Sequence, residues 1–194
     1  MRKLIYIPIV HTSADMGSMK EGLKEAGMAK LGMREWIENE RRIAKFWDEV
    51  EREIDALDLD YENVRLYQDG LPCAGEIGMK IINTTADKGS RNFQIVKKLI
   101  EKGAIVEATE SPDLLRKEHE YIKAFVNATS KKERSDAELR YEKITDELME
   151  KRDAFISKTI DATLRDGETG ILLIGANHNV KSKLPDDMDI KSMD

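Results

Sequence analysis

The feature that most constrains the fold is the stretch at residues 168–180, which reads ETGILLIGANHNV. Its apolar run at 171–174 does not alternate with polar residues, and such runs are typical of strands buried on both faces of a parallel sheet. Gly175 lets the backbone leave the sheet tightly, and His178 follows three residues later. Because ligands of open α/β sheets bind beyond the carboxyl ends of the strands, this stretch predicts a binding site at its end.

The rest of the pattern predicts an α/β protein. Short apolar runs predict three further strands, at 4–10, 64–67 and 104–106. Apolar residues at helical spacing and turn signals predict helices at 34–57, 73–82, 92–101, 112–126 and 136–164. This alternation indicates βαβ units, hence a mainly parallel sheet of about four strands flanked by long helices in three layers. Pro8 predicts an edge position or a bulge in the first strand, because proline cannot donate to the ladder.

The chain of 194 residues is predicted to form a single α/β domain at 1–180, followed by a polar C-terminal tail at 181–194 with weak signals of order. Between the first strand and the first long helix, glycines recur every five residues from Gly17 to Gly32, among several methionines. That spacing matches neither helix nor strand and predicts loosely held short helix or loop. The segment is interpreted as a lid beside the strand end or as an irregular surface excursion.

Composition limits the partners. The net charge of −6, without a clustered basic stripe, argues against nucleic acid. Cys73 is the only cysteine, which excludes an intramolecular disulfide and a thiolate metal cluster and fits a reducing compartment. The apolar run at 4–10 is too short to span a membrane and has no cleavage site. We therefore expect a soluble, cytoplasmic protein with no membrane partner that acts on a small molecule or peptide. Assembly into a homo-oligomer is neither predicted nor excluded.

Each predicted strand is followed by a polar group that can bind a metal or move a proton. These residues are His11, Asp69, Glu110 and His178. If the strands are parallel, all four lie along one edge of the sheet. Two imidazoles with one or two carboxylates suit a divalent zinc, manganese or iron ion. The alternative is that the carboxylates are plain turn or cap residues, and Glu76 is a weaker substitute for either.

Arg152 lies four residues after Leu148 and three before Phe155, on the stripe of the last long helix that should face the core. A buried guanidinium needs an acceptor, because an unpaired charge there costs several kcal/mol. The partner is predicted to be Asp69, Glu110, or an anionic or carbonyl substrate. Alternatively the stem extends to water at the rim, or the residue makes a purely structural ion pair.

Two other residues that could react are weighed against plain packing roles. Cys73 lies at the start of a predicted helix, whose positive dipole end favours a thiolate, so a nucleophilic pair with His11 or His178 is a candidate; most lone cysteines are merely packed. His119 shares a helix face with apolar residues and is interpreted as a core or boundary histidine. The sequence contains no nucleophile elbow, phosphate-binding loop or dinucleotide-binding glycine motif, so nucleotide-cofactor chemistry has little support.

Two motifs in the final third of the chain carry a family resemblance. KRDAFI at 151–156 lies in a helix, and the strand at 170–174 leads into GANH at 175–178. An arginine-containing helix followed by a strand that ends in Gly-x-x-His resembles the TIKI/TraB-like superfamily, which includes ChaN-like and erythromycin-esterase-like proteins. That family has a first-strand counterpart ending in a second histidine, here PIVH at 8–11, with proline in place of the usual glycine. The resemblance implies an α/β fold and, in several branches, a metal-dependent hydrolytic site; other branches bind haem or have no assigned activity.

The first hypothesis is a metal-dependent hydrolase of amide or ester bonds. His11 and His178 would hold the ion, Asp69 or Glu110 would complete the site or act as general base, and Arg152 would stabilise the developing oxyanion. The alternative is a non-catalytic metal-binding, small-ligand-binding or assembly protein that uses the same crevice. A further alternative is a thiol hydrolase based on Cys73.

Overall fold

The core of the molecule is one parallel β-sheet. A computed structural model describes residues 1–193, and only the backbone at 16–18. Its strands are β1 (Arg2–Ile9), β2 (Val64–Gln68), β3 (Ile105–Val106), β4 (Thr169–Gly175) and β5 (Met188–Ser192). They are arranged in the order β3-β2-β4-β1-β5, and every pair is parallel. The predicted α/β class is confirmed, and the four predicted strands are all present.

The helices connect these strands in the predicted alternation. They are α1 (Lys20–Leu31), α2 (Met33–Asp55), α3 (Gly75–Asp87), α4 (Arg91–Glu101), α5 (Pro112–Val126) and α6 (Lys131–Thr163). Short 3-10 turns lie at Ser13–Met19, Tyr61–Asn63 and Val180–Lys183. Serine side chains cap α4, α5 and α6 at their amino ends, where they accept otherwise unpaired backbone N–H groups. Within the described chain, none of the helices has the length and apolar character needed to cross a bilayer.

Alternate residues of the strands supply two separate cores, which produces the three layers. On one face, side chains such as Ile7, Leu66 and Leu173 pack against α2, α3 and α4. On the other face, Leu172 and Ile174 pack with the carboxyl-terminal half of α6. Both faces of β4 are therefore covered, as its uninterrupted apolar run predicts.

The connections diverge at the carboxyl edge of the sheet. The helices after β1 and β2 cover one face, whereas α6, which leads into β4, covers the other face with the 3-10 turn after β4. Since β4 lies between β1 and β2, loops from neighbouring strands leave in opposite directions. This arrangement opens a crevice at the carboxyl ends of the strands.

The predicted C-terminal tail contributes a strand. Residues Met188–Ser192 form β5, which pairs in parallel with β1 from Arg2 to Tyr6. Asp194 lies outside the described residues. Beyond Tyr6 only β4 continues alongside β1, so Pro8 lies at a local edge, as its missing N–H predicts.

The glycine-rich segment forms a helix, α1, with contacts to two neighbouring helices. A Cβ on Gly22 would lie 2.2 Å from Val126 Cγ1, and one on Gly27 would lie 2.2 Å from the Trp36 ring. These glycines therefore permit α1 to approach α5 and α2 closely, which the spacing alone did not indicate. Gly32, at φ +82°, separates α1 from α2. The side chain of Met16 and position Gly17, both in the predicted lid, lie outside the residues described in full.

Candidate functional site

The four strand-end residues come together along the carboxyl edge. Glu110 follows β3, Asp69 follows β2, His178 follows β4 and His11 follows β1, which is the order of these strands across the sheet. A backbone hydrogen bond fixes Glu110 beside Asp69. The N–H of Glu110 donates to the carbonyl oxygen of Leu71, two residues after Asp69, at 3.1 Å. The parallel topology thus places residues from distant parts of the chain next to one another.

Asp69 is the centre of the site, and 3% of its side chain is exposed. Its Oδ2 lies 2.8 Å from His11 Nε2 and 3.4 Å from His178 Nε2, so both imidazoles reach one oxygen. The Gly175 N–H donates to the same oxygen at 2.9 Å. Burial opposes ionisation, but the hydrogen bond with His11 and the positive charges around it hold the pKa of Asp69 well below its usual range.

Gly175 leaves the space that this arrangement occupies. A Cβ at this position would lie 3.0 Å from Asp69 Oδ2 and 3.0 Å from His11 Nε2. Any other residue would push against the bond between the imidazole and the carboxylate. The glycine that ends β4 therefore serves the site as well as the turn.

Arg152 is buried on α6 and binds three carboxylates. Its Nη2 donates to Asp69 Oδ1 at 2.7 Å and to Glu110 Oε1 at 2.5 Å, and its Nη1 donates to Glu118 Oε2 at 2.7 Å. The acceptors predicted for this guanidinium, Asp69 and Glu110, are both present. Phe155, which belongs to the same predicted stripe, is instead 39% exposed.

Glu110 has no exposed side-chain surface. Burial raises the pKa of Glu110 to about 7 in spite of Arg152, and the nearby charge of Asp69 adds to the rise. The two carboxylates share one guanidinium but differ in their other partners, because Asp69 also has His11 and a backbone N–H. Asp69 is therefore the charged member, and Glu110 is the one that can exchange a proton near neutral pH.

Asp153, the neighbour of Arg152 on α6, holds His178 in place. His178 Nδ1 lies 2.5 Å from Asp153 Oδ1, and the other carboxylate oxygen accepts the Asn179 N–H at 2.8 Å. With Asp153 at Nδ1, the other ring nitrogen, Nε2, faces Asp69. A carboxylate on the far nitrogen of an imidazole is the usual outer partner of a metal-binding histidine. The sequence analysis did not identify Asp153 as a site residue.

His11 is the site residue nearest to solvent, with 37% of its side chain exposed. Asp15 approaches its other ring nitrogen, with 3.9 Å between Nδ1 and Oδ2. Burial lowers the pKa of His11, but the hydrogen bond to Asp69 and the charges of Asp69 and Asp15 outweigh it and raise the pKa. Asp15 is itself fixed by the Thr12 N–H at 2.6 Å and by the Ser90 hydroxyl, and it too was not predicted.

The remaining candidates lie apart from this cluster. Glu76 is exposed at the start of α3, and His119 is exposed on α5 rather than in the core or at its boundary. Cys73 is a free, half-buried thiol in the loop before α3. Among the described residues, no hydrogen bond joins Cys73 to either His11 or His178.

The arrangement could hold a metal ion. Asp69, Glu110 and His178 each offer a ligand atom, and these atoms lie within 4.8 Å of one another in a buried setting. Among the described residues this group includes His178 but not His11, which reaches it only through Asp69 Oδ2. No family model, curated protein or solved structure matches the chain.

Proposed function

We propose that this protein is a metal-dependent hydrolase of amide or ester bonds, as the TIKI/TraB-like resemblance implies. The observation that carries the proposal is the approach of His11 Nε2 and His178 Nε2 to one oxygen of Asp69, at 2.8 and 3.4 Å. Asp153 occupies His178 Nδ1, so Nε2 is the nitrogen that faces the Asp69 carboxylate. A ring nitrogen and a carboxylate oxygen at that separation can bind one cation.

The donor set fits a divalent zinc, manganese or iron ion. Imidazole and carboxylate suit these borderline ions, and Asp153 supplies the outer partner that such histidines use. His11, His178 and Asp69 would hold the ion, and Glu110, which lies close to Asp69 and His178, would remain beside it as the proton acceptor. Such an ion would polarise a carbonyl group and make a nearby water more acidic.

The chain's own residues supply the proton transfers and the positioning. Glu110, whose pKa is raised to about 7, can accept a proton from the attacking water and return it to the leaving group. Arg152 holds Asp69 and Glu110 at fixed positions through bonds to both carboxylates. Those bonds use both Nη2 donors, so the second Nη1 N–H is the donor left for a developing oxyanion.

Metal analysis tests the proposal. Elemental analysis of the purified, dialysed protein should find close to one divalent ion per chain, which His11→Ala and His178→Ala variants lose while circular dichroism shows that they remain folded. His119→Ala is the matched control, because this third histidine is exposed and away from the site. Retention of the ion in a His11→Ala, His178→Ala double variant would contradict the proposed metal site.

The alternative, a metal-binding or ligand-binding protein without catalysis, is favoured by the bonds that occupy most of the Arg152 guanidinium. A panel of ester and amide substrates separates the two functions. Hydrolysis that a chelator abolishes and the added ion restores supports the hydrolase. Stoichiometric metal without turnover of any substrate supports the binding protein. Activity that survives chelation but is lost on alkylation of Cys73 supports the thiol hydrolase.

A further inference from the structure

A cavity of about 420 Å³ lies beside His11, in the size range of small-molecule sites. The helices above the carboxyl edge form its walls, and most of the wall is apolar: Leu23 from α1, Trp36 from α2, and Ile122 and Phe125 from α5. His11 is the member of the buried cluster that lines it. The cavity therefore leads from solvent to the exposed side of the proposed site.

The walls are built by close helix contacts rather than by loose loops. Gly22 allows α1 to touch Val126 of α5, and Gly27 allows it to touch the Trp36 ring. Tyr141 of α6, also in the lining, donates its hydroxyl to Glu118 Oε1 at 2.7 Å, and Glu118 binds Arg152. The cavity wall and the buried cluster are thus joined through one chain of hydrogen bonds.

The lining has a defined polarity. None of its described residues is a lysine or arginine, and its formal charge comes from Glu138 and His11. Such a wall disfavours carboxylate or phosphate ligands.

We propose that the cavity binds the uncharged apolar acyl chain of the substrate and places its carbonyl group at His11. This inference rests on the proposed function for the reaction, but binding of the chain does not require turnover. The site then selects esters or amides of apolar acyl groups over anionic or strongly polar substrates.

Binding can be measured without hydrolysis by using methyl ketones, which carry a carbonyl group but no bond to hydrolyse. Ketones of four to ten carbons are titrated against the uncharged fluorophore N-phenyl-1-naphthylamine bound to the full-length protein. We expect affinity to rise by up to about fourfold per added methylene until the cavity is filled. Carboxylates of the same chain length should bind more weakly than the ketones.

Two variants locate the binding. Ile122→Trp should lower the chain length at which affinity stops rising, because the larger ring fills part of the cavity. Trp36→Ala should raise that chain length, because loss of the indole ring enlarges the space available to the ligand. Ile77→Trp is the matched control, because Ile77 is exposed on α3 and is not among the described residues that line the cavity.

Equal affinity for all ketones, or a length dependence that Ile122→Trp leaves unchanged, would overturn the inference. Nitrophenyl esters of the same acyl chains separate this failure from failure of the proposed function. Length-dependent ketone binding without ester or amide hydrolysis would support the acyl-binding site and contradict the proposed hydrolase function. Hydrolysis with the same kcat/KM for every chain length, together with absent ketone binding, would contradict the acyl-binding site and support the hydrolase function.

Discussion

Arg65 and Arg152 each bind carboxylates from neighbouring strand connections, but the two clusters have different surroundings. Arg65 lies on β2 near the amino end of the sheet, binds Glu168 through two bonds of 2.9 Å, and also pairs with Glu107. Its cluster contains no histidine among the described contacts, and 14–17% of each of these side chains is exposed. The Arg152 cluster adds two imidazoles, a glycine that leaves space beside them, and an adjoining cavity.

The Arg65 cluster is therefore interpreted as structural, because its ion pairs join neighbouring strands. The Arg152 cluster is interpreted as part of a binding site. At Arg65, exposure to water keeps the cost of the charges low and their net contribution modest. At Arg152, deep burial makes each charge depend on its partners. Burial raises the pKa of Glu110, whereas at Asp69 the hydrogen bond with His11 and the neighbouring positive charges outweigh burial and lower the pKa. We therefore expect changes at Arg65 to alter stability alone and changes around Arg152 to alter both stability and ligand binding.

Removal of each arginine should give the largest contrast. Arg152→Met leaves Asp69 and Glu110 buried without their shared cation and should lower the free energy of unfolding by about 3–5 kcal/mol. Arg65→Met should cost roughly 1–2 kcal/mol, because its partners can reach water. Urea unfolding at pH 7 measures both values. Equal losses in the two variants would contradict the contrast, and so would normal metal content in a folded Arg152→Met protein.

The pH dependence of stability should have opposite signs at Glu110, in the Arg152 cluster, and Glu168, in the Arg65 cluster. Because the pKa of Glu110 is raised to about 7, its contribution to stability is fully present below pH 4.5 and is lost as the pH rises towards 7. Arg65 lowers the pKa of Glu168, so the contribution of Glu168 is present above pH 4.5 and is lost as the pH falls. Each slope is limited to about 1.4 kcal/mol per pH unit.

Urea unfolding from pH 3 to pH 8 checks these signs in Glu110→Gln and Glu168→Gln. The stability of the wild type relative to Glu110→Gln should fall as the pH rises between 4.5 and 7. Relative to Glu168→Gln it should fall as the pH is lowered below 4.5. Parallel profiles for the two variants would show that burial does not distinguish the clusters.

Two glycines of β4 sharpen the contrast with a smaller change. Gly175→Ala places a methyl group 3.0 Å from both Asp69 Oδ2 and His11 Nε2 and should weaken metal binding at least tenfold. Gly170→Ala places its methyl 2.7 Å from Leu4 Cδ1 in the core and should cost about 1–3 kcal/mol of stability without changing the metal affinity. Isothermal titration with zinc and urea unfolding measure the two effects. Equal zinc affinity in both variants would contradict the role assigned to Gly175.

Much of this architecture could be predicted from the sequence, because unbroken apolar runs such as that of β4 are typical of buried parallel strands. The parallel arrangement then placed His11, Asp69, Glu110 and His178 on one edge without knowledge of the strand order. β5 was not predicted because its apolar residues alternate with the charged residues Asp189 and Lys191, so it contains no apolar run. It is ordered by pairing with β1.

The supporting residues of the site could not be predicted. Asp153 and Glu118 lie on helices whose rotation relative to the sheet is set by tertiary packing, and acidic residues are abundant on both helices. Their roles depend on bonds to His178 and Arg152 that join distant parts of the chain. The prediction that the glycines of α1 mark a loosely held segment was wrong for the same reason. They lie where α1 contacts α5 and α2, and these contacts depend on tertiary packing.

The central claim is that His11 and His178 share one metal ion with Asp69, and X-ray absorption spectroscopy of the zinc-loaded protein tests it most directly. We expect scattering from two imidazoles together with oxygen ligands, from one imidazole in either single His→Ala variant, and an unchanged spectrum in His119→Ala. A spectrum without imidazole, or one that the His11→Ala, His178→Ala double variant leaves unaltered, would contradict the claim.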